Sequence, residues 1–213
     1  MPGYAIELDL HGRTVLVVGL GPVGRRKSAG LRAAGARVIG VDPSPWSDEV
    51  PEGIEIRAEA YRAGHLQGMS LAFAAGPPEV NAQVVADAKA AGIWVSSASD
   101  PTAGDFTLPA VWRAGGLMLA VATSSASPAL AAALRDRAAL ALGPGAAGLS
   151  AVLAELRPRV LERLSDPELR RRILADWADP RWLDLFATHG AQAVRDEVER
   201  LVVRETGNFG SGS

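Results

Sequence analysis

The sequence predicts an α/β fold, with a doubly wound parallel sheet in the first half of the chain and helices in the second. Three observations predict it. An apolar strand that begins at Val15 runs through a glycine-rich turn into a helix, and strand and helix patterns then alternate. From Ser127 onward only amphipathic helix patterns follow. Alternating strands and helices are typical of a parallel sheet covered on both faces, which binds ligands at the carboxyl ends of its strands.

The turn after the first strand has the pattern G-x-G-x-x-G, formed by Gly19, Gly21 and Gly24. In such turns the first glycine allows a tight turn, the second lets the backbone approach a pyrophosphate, and the third lets the helix pack closely on the strand. The helix that follows, predicted over Arg25–Ala34, offers unpaired N–H groups and a partial positive charge to phosphates. The turn therefore predicts a dinucleotide site; a tight turn without a ligand is the alternative.

An acidic residue follows the second strand at the spacing that a dinucleotide site requires. The strand Arg37–Val41 ends in Asp42, roughly twenty residues after Gly19. A carboxylate there can accept a hydrogen bond from a ribose 2′-hydroxyl and would repel a 2′-phosphate. The sequence therefore predicts NAD as the cofactor, in preference to NADP.

Gly19 and Gly24 also have the spacing of the two glycines in a loop that binds nucleoside triphosphates, but this alternative is excluded. In such a loop a lysine follows the second glycine directly, so that its ammonium reaches the β- and γ-phosphates. Here Arg25 and Arg26 separate Gly24 from Lys27.

The remaining elements continue the alternation and then change in character. Ser127-Pro128 has the form of a helix start, and the segment 143–148, rich in glycine, predicts a linker. Further strands or extended pieces are predicted at Ile54–Arg57, Leu71–Ala75, Ile93–Ser96, Phe106–Pro109 and Leu117–Thr123. Helices are predicted at Pro78–Ala91, from Pro128 to about Gly143, and at Leu149–Leu164, Asp166–Trp177, Pro180–Phe186 and Ala191–Val203.

Composition excludes several classes of function. The net charge of −2 gives no basic field for nucleic acid or an anionic membrane surface. The absence of cysteine excludes disulfides, thiolate catalysis and Cys-ligated zinc. The three histidines have no partners at metal-ligand spacing, so no metal site is expected. No apolar run approaches the roughly 20 residues of a membrane helix, and the first residues lack signal-peptide features, so we expect a cytoplasmic protein.

Two segments outside the glycine turn carry candidate chemistry. Asp100 follows the fifth predicted strand, near the point where the order of the sheet should reverse. Its carboxylate can act as a general base or bind a cation, or it only initiates a turn before Pro101. The hydroxyls of the segment from Thr123 to Ser127 stand where a helix begins and suit an anionic substrate, with simple helix capping as the alternative. Lys27 is expected on a solvated helix face.

Several further motifs occur in a characteristic order, and together they resemble the precorrin-2 dehydrogenase family, the NAD-dependent module of siroheme synthases. The resemblance covers nearly the whole chain. The motifs are Gly24-Arg-Arg-Lys27, Ala34-Gly-Ala36, the strand and turn of residues 71–81, Asp100-Pro101, Asp105-Phe106, Pro109-Ala110, Thr123 with Ser127-Pro128-Ala-Leu130, and Arg170-Arg-Arg172.

The resemblance implies an organisation and an activity. It implies a Rossmann-like NAD-binding domain over 1–113, a dimerisation segment over 114–146, a small all-helical domain over 147–206 and a flexible tail over 207–213. The implied reaction is the oxidation of precorrin-2 to sirohydrochlorin with hydride transfer to NAD⁺. The implied protein is a homodimer that binds a tetrapyrrole and neither nucleic acid nor membrane.

The resemblance also implies roles for individual residues. Asp100 falls on the aspartate proposed for proton removal and metal insertion, so sirohydrochlorin ferrochelatase activity would rest on this residue and the pyrrole nitrogens of the substrate. Ser127 falls on a serine of the tetrapyrrole cleft, with Thr123 and Ser124 beside it. The positions that contact the cofactor beside the glycines are Pro22, Val23, Pro43 and Ser44.

The chain departs from the family pattern on the substrate side. Gly76-Pro77 stands where the family often has acids, Ser97 replaces an asparagine, and Ser124-Ser125 replaces a pair usually rich in glycine. Two alternatives therefore stay open. One is a non-catalytic NAD(H)-sensing module, which needs no base at Asp100, and the other is an unrelated NAD-dependent oxidoreductase of the same fold.

Overall fold

The computed structural model describes residues 3–44, 53–124 and 126–207. The chain divides into two compact units, Met1–Leu108 and Pro109–Ser213. Ser125 and residues 208–213 of the predicted tail lie outside the described residues. The functional division at residues 113 and 146 stays a prediction.

The first unit is a five-stranded parallel sheet with helices, which confirms the predicted α/β, Rossmann-like class. The strand order is β3-β2-β1-β4-β5. The strands are β1 Thr14–Val18, β2 Arg37–Val41, β3 Ile54–Arg57, β4 Leu71–Ala74 and β5 Trp94–Ser97, and the helices are α1 Pro22–Ala33 and α2 Pro78–Ala90, with a 3-10 turn at Ala63–Leu66.

The central strands are apolar because both of their faces are covered. Val15 and Val17 of β1 face one side of the sheet, where Leu31 of α1 packs against them. Leu16 and Val18 face the other side, in a cluster that includes residues of α2. The alternation of faces along β1 follows from the two-residue repeat of a strand.

The order of the sheet reverses between β1 and β4, which corrects one expectation. The chain moves outward from β1 through β2 to β3, and then returns to the other side of β1 with β4. Asp100 follows β5, which pairs with β4 and forms the edge of the sheet. It therefore lies one strand beyond the reversal point, whereas Gly19 and Gly76 follow the two strands that flank it.

The second unit begins with a two-stranded antiparallel sheet; its second strand confirms the strand predicted from Leu117, while its first strand and the pairing were not predicted. Its strands are β6 Ala110–Ala114 and β7 Leu117–Val121. The predicted extended piece Phe106–Pro109 is not a strand. The signal for the hairpin was present, because Gly115-Gly116 between two apolar runs is typical of a two-residue turn.

Four helices complete the second unit: α3 Pro128–Leu142, α4 Gly145–Arg163, α5 Pro167–Asp176 and α6 Arg181–Gly207, the last broken at Gly190. The predicted linker 143–148 is wrong, because α4 already begins at Gly145. Gly148 lies inside that helix, where a Cβ would come within 2.2 Å of the Phe186 ring. Glycine there provides close packing of helices, and its abundance in this segment does not mark a flexible connection.

The core of the second unit is helical. Leu149, Val152, Leu156 and Val160 recur at three- and four-residue intervals on α4 and pack with residues of α5 and α6, including the fully buried Trp182. Among the described residues no single helix is long and apolar enough to cross a bilayer. The pair α3 and α4, bent by 70° at the break between them, meets that requirement only when both are counted together.

Candidate active site

Two of the three turn glycines are required by the protein itself. Gly19 has φ +88°, and a Cβ there would lie 2.4 Å from the Gly76 nitrogen. At Gly24 a Cβ would lie 1.8 Å from the Gly19 oxygen. Neither position has room for a side chain, so the β1–α1 turn lies directly against the turn after β4, and α1 lies directly against its own turn.

Gly21 is different, because nothing in the described part of the chain requires a glycine there. Its φ of −65° and ψ of −174° are open to any residue. A Cβ would meet no atom within 4 Å. Gly21 is also the N-cap of α1, and its cap has no side-chain hydrogen bond. The missing side chain leaves open space in front of helix N–H groups, as the approach of a phosphate requires.

Asp42 fixes the glycine turn from the end of β2. Its Oδ2 accepts a hydrogen bond from the Leu20 N–H at 2.7 Å, and its Oδ1 accepts one from the Ser44 N–H at 2.8 Å. The Leu20 side chain is buried and packs over Gly40: a Cβ on residue 40 would lie 2.9 Å from the Cδ2 atom of Leu20. Sequence reasoning placed Asp42 near a ribose but missed this bond to the turn. Each carboxylate oxygen keeps a second lone pair that a ribose hydroxyl can use.

The other predicted cofactor positions lie beside these groups. Pro22 is the first residue of α1, and Val23 follows it. Pro43 and Ser44 are exposed and come directly after Asp42. The predicted cofactor residues therefore belong to two neighbouring loops that the Asp42–Leu20 hydrogen bond joins.

Asp100 is exposed and makes the turn that its proline neighbour suggests. Its Oδ1 accepts hydrogen bonds from the Thr102 N–H at 2.9 Å and the Thr102 hydroxyl at 2.6 Å. These two bonds, the hydroxyl first, hold the pKa of the Asp100 carboxyl below its usual range. The second oxygen, Oδ2, has no hydrogen bond within the described parts of the chain. Asp100 is thus an ionised carboxylate with one oxygen engaged and one open.

A buried amide beside this loop was not singled out from the sequence. Asn81 of α2 is 1% exposed, and its side chain makes two hydrogen bonds to Gly76 and one to Ser99. The signal for it was a lone polar residue on the face of α2 that otherwise carries Val84, Val85 and Ala88 into the core.

Lys27 is not the solvated residue that the sequence suggested. Its side chain is half-buried, and its Nζ lies 5.2 Å from the centroid of the buried Phe73 ring. Phe106 packs edge-on against the same ring, with centroids 5.4 Å apart. Loss of solvent around the ammonium, with a smaller contribution from the charge of Arg26, lowers the pKa of Lys27.

The hydroxyl segment of the second unit caps α3. Ser127 Oγ accepts a hydrogen bond from the Leu130 N–H at 3.2 Å. The Thr123 hydroxyl accepts from the Ser127 N–H at 3.2 Å and donates to the Ser127 carbonyl at 3.0 Å. Ser124 has φ +48°, an unfavourable conformation for a residue other than glycine. The capping alternative is therefore realised, while the Ser127 hydroxyl proton stays available for a ligand.

Metal-binding residues do not cluster in the described part of the chain. Over 3–44, 53–124 and 126–207, no three His, Asp or Glu side chains are grouped so that they could hold a metal ion.

Comparison with known proteins relates these features to a family. A family model described as "Putative NAD(P)-binding" matches residues 6–110. The siroheme synthase of Tolumonas auensis is 33% identical over 183 residues, which are 84% of this chain and 39% of that protein. The siroheme synthase of Chromobacterium violaceum is 32% identical over 207 residues, 95% of this chain and 44% of that protein. The chain thus spans less than half the length of these two relatives.

A solved structure shares the fold. The structure titled SirC, precorrin-2 dehydrogenase, matches with a TM-score of 0.72 and 22% sequence identity, and the match covers 93% of this chain and 100% of that one. The chain is thus similar to siroheme synthases over most of its length, contains a match to an NAD(P)-binding domain family, and shares the fold of a precorrin-2 dehydrogenase.

Proposed function

We propose that this protein oxidises precorrin-2 to sirohydrochlorin with NAD⁺ as the hydride acceptor. The observation that carries the proposal is the open space at Gly21, at the N-cap of α1 where no side chain caps the helix, beside a turn that Asp42 fixes. The names of the sequence relatives support this reaction class. The proposal includes a cytoplasmic homodimer.

The cofactor half of the site binds and orients. The N–H groups at the start of α1 hold the pyrophosphate in front of Gly21. Asp42 accepts a hydrogen bond from the ribose 2′-hydroxyl and repels a 2′-phosphate, so NAD⁺ is preferred to NADP⁺. Bound NAD⁺ supplies the hydride acceptor.

On the substrate side, each unit contributes its own groups: the first unit supplies the proton acceptor and the second supplies hydroxyl donors. Oxidation removes two hydrogens from precorrin-2, one as a hydride and one as a proton. Asp100 Oδ2 accepts that proton and passes it to water. In the second unit, taken by itself, the hydroxyl protons of Ser124 and Ser127 can be donated to carboxylates of the substrate, while Thr123 gives its proton to the Ser127 carbonyl and holds the segment in place.

The test is an assay of precorrin-2 turnover. The substrate is generated in situ, and the reaction is monitored by NADH formation and by the sirohydrochlorin spectrum. We expect Asp100→Ala to lower kcat by about 10²–10⁴-fold, the usual contribution of a general base, with the Kd for NAD⁺ unchanged. Normal turnover in this variant would show that Asp100 is not the base.

The same assay with NADP⁺ tests the cofactor, and an NADP⁺ preference would contradict the role of Asp42.

One observation favours a second candidate, a non-catalytic NAD(H)-sensing module. Asp100 Oδ1 is held in a turn by Thr102, as expected for a residue with a purely structural task. In that case the wild-type protein binds NAD⁺ and is well folded but does not turn over precorrin-2. Ferrochelatase activity stays a prediction, tested by adding ferrous iron to sirohydrochlorin in the same cuvette.

A further inference from the structure

A close backbone contact and, beyond it, hydrogen bonds connect the glycine turn with the loop that carries Asp100. The connection begins at the closest approach of the two turns at the reversal point of the sheet, Gly19 against Gly76. It continues through the side chain of Asn81 to Ser99, one residue before Asp100. All of these residues belong to the first unit of the chain.

Both donor hydrogens of the Asn81 amide have partners in this arrangement, and its oxygen accepts one hydrogen bond. Its Oδ1 accepts from the Gly76 N–H at 2.8 Å, and its Nδ2 donates to the Gly76 carbonyl at 2.9 Å and to the Ser99 hydroxyl at 3.0 Å. A buried amide with every donor satisfied holds its neighbours in one geometry, because any displacement leaves a buried polar group unpaired.

The loop has a second anchor directly under Asp100. Ser97, the last residue of β5, is buried, and its Oγ accepts a hydrogen bond from the Asp100 N–H at 3.2 Å. Ser99 binds the loop to the turn after β4 through Asn81, and Ser97 binds it to the edge strand; the two hydroxyls also lie within hydrogen-bond distance of each other, at 3.4 Å. The carboxylate itself is exposed, so these two anchors, together with Thr102, determine where it lies.

We propose that Asn81 and Ser99 are positioning residues, which set the Asp100 carboxylate relative to the cofactor turn. The effect on catalysis that we expect from this positioning rests on the proposed dehydrogenase function. A base must be within hydrogen-bond reach of the proton it removes, and a displacement of about 1 Å in such a group can lower the rate by about 10²-fold. Neither Asn81 nor Ser99 has to touch the substrate for this effect.

The decisive variant is Ser99→Ala, since Ser99 is exposed and its loss leaves the two Asn81–Gly76 bonds intact. We expect kcat to fall by about tenfold or more, with the Kd for NAD⁺ and the KM for precorrin-2 within about twofold of wild type. Ser99→Thr keeps the hydroxyl and is expected to restore kcat. The matched control is Ser70→Ala, at the amino end of β4.

Asn81→Asp provides a second test of the same connection. It keeps an oxygen for the Gly76 N–H but replaces both Nδ2 donors with an acceptor that faces the Gly76 carbonyl and Ser99 Oγ. We expect a loss of kcat at least as large as in Ser99→Ala. Wild-type kcat in Ser99→Ala, or a loss that Ser99→Thr does not restore, would overturn the proposal.

Amide hydrogen exchange separates this proposal from the proposed function, because it needs no turnover. In the NAD-free protein, Ser99→Ala is expected to speed exchange at the amides of Asp100, Thr102 and Ala103, with no change in α2. Faster exchange in a protein that never oxidises precorrin-2 would reject the dehydrogenase function but support the role of Ser99 in holding the Asp100 loop. Unchanged exchange would reject the anchor, whatever the activity.

Discussion

Thr102 extends to lower pH the range over which Asp100 is ionised. The Thr102 hydroxyl and N–H stabilise the ionised carboxylate and lower the pKa of Asp100. A group whose pKa is lowered in the folded protein stays ionised to lower pH, so the basic form of Asp100 is present throughout the neutral range. Any activity that needs this base therefore declines only when the pH falls through that lowered pKa.

We predict that Thr102→Val moves the acid limb of the profile of kcat/KM against pH to higher pH. The variant removes the hydroxyl bond, which is the largest cause of the shift, and keeps the backbone bond. The measurement is kcat/KM for precorrin-2 from acid to neutral pH, with Thr107→Val, an exposed threonine of the same segment, as the control. An acid limb that does not move would mean that Asp100 is not the group that titrates.

At the scale of the element, the glycines of the β1–α1 turn are of two kinds: some are required for packing, and one is not. We predict that Gly24→Ala destabilises the fold by about 2–3 kcal/mol or more, because its Cβ would overlap the Gly19 oxygen. Gly21→Ala is expected to change the free energy of unfolding by only a few tenths of a kcal/mol but to raise the Kd for NAD⁺ about tenfold or more.

The control in the same helix is Gly30→Ala, where a Cβ also meets nothing within 4 Å. It is expected to stabilise the protein by about 0.5–1 kcal/mol and to leave NAD⁺ affinity unchanged. Urea unfolding and NAD⁺ titration measure both quantities. Equal NAD⁺ affinity in wild type and Gly21→Ala would mean that no phosphate lies in front of Gly21.

The elements themselves were largely predictable, and the exceptions have physical reasons. The strands Arg37–Val41 and Ile54–Arg57 are confirmed as predicted, because the first is a buried run rich in β-branched residues and the second alternates isoleucine with charged residues. The start of α1 was placed three residues late, at Arg25, because a proline at the first helical position was counted with the turn. The linker was wrong because glycine for close packing and glycine for flexibility look alike in a sequence.

The site was predictable only where a local motif defines it. The glycine pattern and Asp42 lie close together in sequence and have fixed spacing. The bond of Asp42 to Leu20 and the bond of Asn81 to Ser99 join residues 22 and 18 positions apart and depend on how loops meet at the end of the sheet. No periodicity encodes such contacts, and Lys27 was misjudged because its burial comes from Phe73 on another element.

At the scale of the whole molecule, α3 is an apolar helix with little of its surface covered in the described chain. Ala131 is its only buried residue, while Leu130 is 51% and Leu134 44% exposed. Large apolar surfaces of this kind are typical of protein–protein interfaces. This agrees with the proposal that the segment 114–146 mediates dimerisation.

We predict that the wild-type protein is a dimer and that Leu130→Glu with Leu134→Glu weakens the association, because four-residue spacing puts both side chains on one face of α3. Val203→Glu on α6, another exposed apolar position, is the control and is expected to leave the dimer intact. Light scattering over a range of concentrations measures the mass. A monomeric wild-type protein would contradict the prediction.

The hydrogen bond between Asp42 and Leu20 also has a consequence for the energetics of binding. It fastens the end of β2 to the glycine turn before any ligand arrives, so the positions for the ribose and for the pyrophosphate are preorganised. A dinucleotide then loses little affinity to the ordering of loops, since that entropy has already been lost in folding. Affinity at this half of the site should therefore respond to changes in the ligand more than to changes in the flexibility of the protein.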